Sequence, residues 1–311
     1  MKVSFIILHY KTIMATKMCI DSLINLNDIN ECNIVVYDNG SNDGTLKKLK
    51  AEYVNHKNII FVKNTQGGSF SEGNNEAYRL VKQQYGPKFM VFLNSDVQIK
   101  QHKFVTILEK EYEKFNHPYV LGPDVYNPRT KQHQSPMFQN VVTLDEIEWK
   151  ITNEKKRLKR IDEIVKEYEH AKKTENLKKI IPNVVLEARD RLLKKDTSFL
   201  YKKRYLKNSV LQGSCIIVTP KYIESENCIF EPDTKFYAEE LLLALKCATL
   251  GYETIYSKKL KVRHWHGMSS GFNVIPSKES LELKEKRLIH AYNIYKETLL
   301  SNPWKDRKNE S

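Results

Sequence analysis

The alternation of short apolar segments with amphipathic ones constrains the fold of this chain most. The runs "VSFIILHY", "NIVVYD", "NIIFV" and "FMVFL" have the length of strands and are apolar throughout, as in parallel sheets covered on both faces. Between the first two, "TKMCIDSLINL" carries apolar residues at helical spacing, and a further helix is predicted from about Asn74 to Tyr85. The pattern predicts an α/β fold with a Rossmann-like, mostly parallel sheet flanked by helices.

The second half of the chain continues the pattern after an insert. Residues 144–207 carry more Lys and Arg than Asp and Glu and are predicted to be helical, exposed and basic. Strand-like "SCIIVT" and "ETIYS" then flank the helical "YAEELLLALKCATLGY". We therefore predict one domain over residues 1–272, interrupted by the insert at 144–207, and a C-terminal helical segment at 273–311.

Composition excludes several classes of protein. The chain has 311 residues, 41% of them hydrophobic, which is enough for a sizeable core, but no run approaches the roughly 20 apolar residues of a membrane span. The N-terminal segment is too short for a signal peptide and lacks a small-residue cleavage site, so we expect a cytoplasmic protein. Five cysteines without CxxC spacing indicate reduced thiols.

A formal charge of +13 predicts attraction to polyanions, which include nucleic acid, anionic lipid surfaces and phosphorylated substrates. The stretch "FLYKKRYLK" interleaves aromatic and basic residues, as single-stranded nucleic-acid sites do. The insert is equally well interpreted as a solvated helical hairpin or as a surface for an anionic membrane or a partner protein. Charge alone does not choose among these.

Polar residues follow the predicted strands, where ligands collect in an open parallel sheet. Asp38 follows the second strand and Asp96 the fourth, and both also suit a turn. "NTQGGSFSEGNN" precedes a helix and could bring backbone N–H groups to a phosphate or sugar, or could simply need glycine conformations. Neither GxGxxG after the first strand nor a P-loop is present, so dinucleotide and P-loop sites are not supported.

Six motifs together resemble one family. They are "VYDNGSNDGT", "GGSFSEGNN", "FLNSDV", Gly213-Ser214, "FYAEELLLALKCATLGY" and "HWHGMS". Their order and approximate spacing are similar to those of inverting family-2 glycosyltransferases of the GT-A fold, in particular the rhamnosyltransferase-like bacterial branch. The resemblance covers roughly residues 1–142 and 208–272.

The resemblance implies a nucleotide-sugar site and a metal. Asp38 would bind a pyrimidine base, and Asp96 matches the last Asp of the DxD-type site for Mn²⁺ or Mg²⁺, with Asn94 in place of the first acid. His264 would be a further metal ligand, with His266 as the competing choice that otherwise serves as a secondary or acceptor residue. The positions implied for nucleotide-sugar binding are Tyr10, Asp38, Gly68, Gly73, Asn74, Asn94 and Ser95.

The resemblance also implies a general base. The family usually has Glu-Asp where this chain has Glu239-Glu240, so Glu240 is the candidate base and Glu239 its alternative, with Gly213 near the acceptor. Two acids in the first turn of a helix are equally expected from the helix dipole. The family often has Arg at the position of Lys246.

The expected function is metal-dependent, inverting transfer of one sugar from a UDP- or dTDP-sugar. The acceptor would be a glycan, lipid-linked or glycoprotein molecule of bacterial surface polysaccharide or glycan biosynthesis, with peripheral contact to the inner face of the cell membrane through the insert. A nucleic-acid-binding protein and an inactive sugar-nucleotide-binding module are the alternatives. The sugar, the linkage and the oligomeric state are left open.

Overall fold

Four parallel strands form the first part of a mixed sheet in the computed structural model, which describes residues 1–173, 199–265 and 277–309. The strands are β1 (Val3–His9), β2 (Cys32–Asn39), β3 (Ile59–Asn64) and β4 (Phe89–Asn94). They lie in the order β3-β2-β1-β4, and each neighbouring pair is parallel. The βαβ pattern predicted from the apolar runs is confirmed.

A helix follows each of these strands along the chain, and together these helices cover both faces of the sheet. They are α1 (Ile13–Ile24), α2 (Thr45–Glu52), α3 (Phe70–Tyr85) and α4 (Phe104–Lys114). The start of α3 was predicted wrongly at about Asn74. Ser69 caps the helix instead: its Oγ accepts from Glu72 N at 3.0 Å, and Glu72 Oε2 accepts from Ser69 N at 2.7 Å. This capping box satisfies two donors at the helix end and sets its first residue.

The remaining described strands extend the sheet beyond β4. They are β5 (Val97–Gln98), β6 (Val120–Asn127), β7 (Gln132–His133), β8 (Tyr205–Lys207), β9 (Cys215–Val218) and β10 (Thr254–His264). The order continues β4-β9-β6-β10-β5, with β7 on β6 and β8 on β10. β9 is antiparallel to both β4 and β6, whereas β6 and β10 are parallel. The sheet is therefore mixed and mostly parallel, as predicted.

Five further helices lie in the second half of the described chain. They are α5 (Leu144–Lys159), α6 (Ile161–Lys173), α7 (Pro220–Ser225), α8 (Glu239–Leu250) and α9 (Lys278–Ser301). Short 3-10 helices span Ile29–Glu31, Leu200–Lys202 and Asp306–Asn309. None of the helices in the described ranges is both long and apolar enough to cross a membrane.

Two apolar cores lie on opposite faces of the sheet because successive strand residues point in opposite directions. On one face, Ile6 packs in a cluster with Tyr78 of α3 and Leu242 of α8. On the other, Phe5 packs in a cluster with Leu108 of α4. The side chains at the carboxyl ends of the parallel strands thus emerge at an edge whose supporting strands are rigidly packed.

The beginning of the insert packs on the C-terminal helix. Ile147 of α5 is buried in the same core as α8, and Arg157 Nη2 lies 3.2 Å from Glu285 Oε1 of α9. Tyr295 of α9 donates its hydroxyl to Val142 O at 2.7 Å. α5 and α9 therefore form one layer, and the predicted division into an insert and a C-terminal segment stays a prediction.

Candidate active site

The ends of β1, β2 and β4 bring three of the predicted site residues to one edge of the sheet. His9 pairs in register with Asp38, and Leu8 pairs with Asn94. Tyr10 directly follows β1 and has 52% of its surface exposed. Neighbouring strands lie about 5 Å apart, so these ends line a short, continuous edge.

Asp38 is buried and holds the turn that follows β2. Its Oδ1 accepts from Ser41 N at 3.0 Å and also from the Ser41 hydroxyl. Beside it, His9 is buried between the hydroxyls of Thr16 at 2.7 Å and Thr45 at 2.9 Å, and burial lowers the pKa of His9. A neutral His9 therefore ties α1 and α2 to the strand ends.

The glycine-rich loop is packed tightly against β2. A Cβ placed on Gly73 would lie 2.9 Å from Asn39 Cγ, so α3 can approach the sheet only with glycine there. Asn39 Nδ2 donates to Gly68 O at 2.9 Å. Asn74 is buried and donates to the backbone oxygen of Phe70 at 2.9 Å. The structure thus places Gly68 close to the edge, while the Asn74 side chain bonds within its own helix.

Asp96 and His264 meet at the ends of β4 and β10, although they are far apart in sequence. Asp96 Oδ1 lies 3.2 Å from His264 Nε2, and both residues are buried. Trp265 N donates to Asp96 O at 3.0 Å, which fixes the two segments to each other. His264 Nδ1 lies 2.7 Å from Gln134 Oε1. If Nδ1 donates its proton there, the lone pair of Nε2 is directed at the carboxylate.

This geometry fits a divalent cation. A carboxylate oxygen and an imidazole lone pair facing each other need a positive charge between them, supplied either by a proton or by a metal such as Mn²⁺. Within the ranges that the structure describes, no group of three or more His, Cys, Asp or Glu side chains could hold a metal together. Asp96 and His264 would therefore share the metal with oxygen atoms of a bound phosphate. His266 lies outside the described residues.

Glu239 and Glu240 open α8 after a strained turn. Lys235, Tyr237 and Ala238 have φ of 66°, 74° and 64°, a left-handed region that is costly for residues with a Cβ. Glu239 is 4% exposed, and among the described residues its buried Oε1 has no hydrogen-bond partner. Burial, followed by the charge of Glu240, raises the pKa of Glu239 to about 8. Glu239 therefore holds a proton near neutrality.

Glu240 is less buried and faces the other predicted site elements. A Cβ on Gly213 would lie 3.6 Å from Glu240 Oε2. The next residue, Ser214, accepts through its backbone oxygen from Asn94 N at 3.0 Å. Ser95, which follows Asn94, has its hydroxyl 3.1 Å from that of Thr12. Glu240 thus lies close to Gly213, and the backbone bond between Ser214 and Asn94 leads on to the segment that carries Asp96.

Contacts that sequence reasoning missed hold this edge together. Gln134 orients His264, and nothing in its local sequence indicated this role. Ser69 Oγ donates to Asp233 Oδ1 at 2.7 Å, and Phe70 N donates to Lys235 O at 3.2 Å, so the glycine-rich loop is bonded to the turn before α8. The sequence around Ser69 indicated a helix cap, but it did not indicate the contact with Asp233, 164 positions away.

Lys246 is buried, where it forms ion pairs with Glu226 at 2.7 Å and Glu231 at 2.5 Å. Arg307 also pairs with Glu226 at 2.6 Å. These ion pairs fix α8 to the segment before it, so Lys246 stabilises the helix that carries Glu239 and Glu240.

The family model described as Glycosyl transferase family 2 matches residues 4–173, more than half of the chain. The chain belongs to glycosyl transferase family 2. Membership confirms the family-2 resemblance, while the assignment to the rhamnosyltransferase-like branch stays a prediction. No curated protein matches the chain significantly.

Solved structures similar to this family-2 chain share its fold at low sequence identity. S. aureus TarS is 16% identical with a TM-score of 0.52, over 97% of this chain and 42% of that one. The mannosyltransferase PcManGT from Pyrobaculum calidifontis, in complex with GDP-Man and Mn²⁺, is 12% identical with a TM-score of 0.51, over 95% and 71%. The chain spans 60% of the TarS 1-349 structure. The two similarities with TM-scores above 0.5 confirm the GT-A-type fold.

Proposed function

We propose that this glycosyltransferase moves one sugar from a nucleoside-diphosphate sugar to an acceptor hydroxyl with inversion at the anomeric carbon. One observation carries the proposal: Glu240 lies close to Gly213, and the next residue, Ser214, is bonded to Asn94 in the segment that leads to the Asp96–His264 pair. A basic carboxylate and a phosphate-binding metal site at one strand edge are the two groups that such a displacement needs.

The donor carries UDP or dTDP in this proposal. The resemblance assigns the base to Asp38, whose carboxylate could accept the N3–H of uracil or thymine. Its Oδ1 already accepts from Ser41, so the turn presets the orientation of the carboxylate. PcManGT is described with GDP-Man, and TarS 1-349 with UDP-GlcNAc, so the solved structures support a nucleotide-sugar donor of either base class.

Asp96 and His264 would hold Mn²⁺ or Mg²⁺ together with the donor diphosphate. When bound, the metal supplies positive charge that offsets the charge developing on the departing nucleoside diphosphate. The protein's part is to orient His264 through Gln134 and to keep Asp96 fixed by its backbone contact with Trp265. The complex of PcManGT with Mn²⁺ supports a divalent cation here.

Glu240 takes the proton of the acceptor hydroxyl as that oxygen bonds to the anomeric carbon and the nucleoside diphosphate departs. Glu239, which keeps its proton near neutrality, adds no second charge to the site. The base thus acts on an acceptor that arrives beside Gly213. No covalent sugar–enzyme intermediate is required.

The acceptor is a glycan, lipid-linked or glycoprotein molecule of bacterial surface glycan synthesis, and the work of the enzyme is cytoplasmic. The basic insert at 144–207 would make peripheral contact with an anionic membrane that carries the acceptor. Nucleic acid binding, the rival reading of the same charge, leaves the strand-edge residues without a role.

A screen of nucleoside-diphosphate sugars tests the proposal. Hydrolysis of UDP- or dTDP-sugars without an acceptor should depend on Mn²⁺ or Mg²⁺ and should disappear with EDTA. Donor binding by calorimetry, run on the same samples, separates an inactive binding module from an enzyme. Absence of both binding and hydrolysis across the screen would contradict the proposed function.

A further inference from the structure

A basic and aromatic surface lies on β10 next to the candidate active site. We call it the β10 surface and define it by five side chains: Tyr126, Tyr201, Lys258, Lys261 and Arg263. Tyr201 belongs to the "FLYKKRYLK" stretch, for which the proposed reaction gives no role.

The cations of this surface project from the face of the sheet on which α8 lies. Val262 is buried in the opposite core, so Lys261 and Arg263, which alternate with it, point to the α8 face, and both are exposed. Residues two apart on a strand are separated by about 6.6 Å. Lys259 is excluded because it lies 3.7 Å from the buried carboxylate of Glu111.

Aromatic rings hold the second part of the surface in place. The rings of Tyr201 and His133 stack with centroids 3.9 Å apart, and Tyr126 packs against His133 at 5.2 Å. His133 Nδ1 is fixed by the buried Asp124 at 2.6 Å. Lys258 Nζ lies 5.7 Å from the centre of the Tyr201 ring. A positioned aromatic ring beside a cation can contact a sugar ring and its anionic substituent together.

The β10 surface is continuous with the candidate metal site. Arg263 directly precedes His264 and pairs in register with Tyr126. Gln134, which follows His133, contacts His264 Nδ1 at 2.7 Å. A molecule lying on the surface would therefore reach the strand edge at which the donor sugar is proposed to bind.

The arrangement of the aromatic rings favours a glycan acceptor over nucleic acid. Single-stranded nucleic acids are bound by successive exposed rings that each stack one base. Here His133 is itself covered by the two tyrosines, so the three rings form one packed group rather than a series.

We propose that the β10 surface binds the acceptor and that the acceptor is an anionic glycan, whose charged groups lie between Lys258, Lys261 and Arg263. The inference rests on the proposed glycosyl transfer, since it gives that reaction its acceptor class. Phosphate and carboxylate substituents both supply the negative charge that these cations would bind, and the experiment distinguishes between them.

The test compares the binding of three glycan probes to the full chain by NMR line broadening. They are neutral maltohexaose, phosphorylated maltohexaose and hexagalacturonate. At least one anionic probe should bind about tenfold more tightly than the neutral one, as expected for two or three exposed charge contacts. The anionic probe that binds more tightly shows whether the substituent is a phosphate or a carboxylate.

Variants locate the binding. Lys258→Ala/Lys261→Ala and, separately, Tyr201→Ala should each reduce binding of the anionic probe about tenfold. Lys50→Ala/Lys57→Ala removes the same charge from exposed positions at the far end of the sheet and should leave binding unchanged. Unchanged thermal unfolding of each variant shows that the fold persists.

Three outcomes would overturn the inference: equal affinity for neutral and anionic glycans, an equal loss in the control variant, or oligo(dT) binding as tightly as the anionic probes. Donor hydrolysis, measured separately, distinguishes the two proposals. Hydrolysis without anionic preference refutes the acceptor class alone, whereas anionic glycan binding without any nucleotide-sugar turnover refutes the reaction alone.

Discussion

Replacing Glu239 by Gln should stabilise the protein increasingly as the pH rises. The folded protein holds a proton on Glu239 up to a pKa of about 8, while an unfolded chain releases it near the ordinary value of 4.5. Between these values the folded state binds more protons than the unfolded state, so wild-type stability falls as the pH rises. The difference in pKa corresponds to about 5 kcal/mol at most. Glutamine cannot ionise and avoids this loss.

Urea unfolding at pH 5, 7 and 9, followed by tryptophan fluorescence, measures the effect. The free energies of unfolding of wild type and Glu239→Gln should be similar at pH 5, and the variant should be several kcal/mol more stable at pH 9. Glu224→Gln makes the same chemical change at an exposed position and should follow wild type. A stability difference for Glu239→Gln that does not change with pH would refute the assignment of a protonated, buried carboxyl.

The transfer activity of Glu239→Gln is a second test of the protonated state of Glu239. Because glutamine resembles the protonated form of Glu239, Glu239→Gln should retain most transfer activity at pH 7. A large loss of activity, equal to that of the corresponding change at Glu240, would mean that the base had been assigned to the wrong neighbour.

Further predictions concern the donor site, the base and the insert. Asp96→Ala should abolish Mn²⁺-dependent donor binding in calorimetry while leaving the circular dichroism spectrum unchanged; retained binding would remove Asp96 from the metal site. Glu240→Gln should keep donor binding but lower transfer by about two to four orders of magnitude, and near-normal turnover would exclude it as the base. When nucleotides are titrated into the protein in the presence of Mn²⁺, UDP or dTDP should bind more tightly than GDP or ADP. Asp38→Ala should weaken the pyrimidines selectively, and Ser41→Ala controls for disruption of the turn. The protein should co-sediment with anionic vesicles more than with neutral ones, because residues 144–207 are basic. Equal co-sedimentation with both kinds of vesicle would exclude the membrane contact.

The sequence alone determined the first four strands, two of the helices that follow them and the positions of the strand-end residues. Apolar runs such as that of β4 are local features, because burial on both faces requires every residue of a short segment to be apolar. Their ends predicted Asp38 and Asp96 at the sheet edge without any tertiary information. The capping box at Ser69 was also present in the sequence and would have given the correct start of α3.

Only the tertiary structure decided which site residues contact each other and which of them are protonated. The approach of His264 to Asp96 depends on β10 lying beside β5 and on the contact with Gln134, all between segments distant in the chain. The raised pKa of Glu239 depends on burial and on the neighbouring charge of Glu240. Hydrophobic periodicity is encoded over a few residues, whereas desolvation and long-range contacts arise only when the whole sheet and its helices are packed.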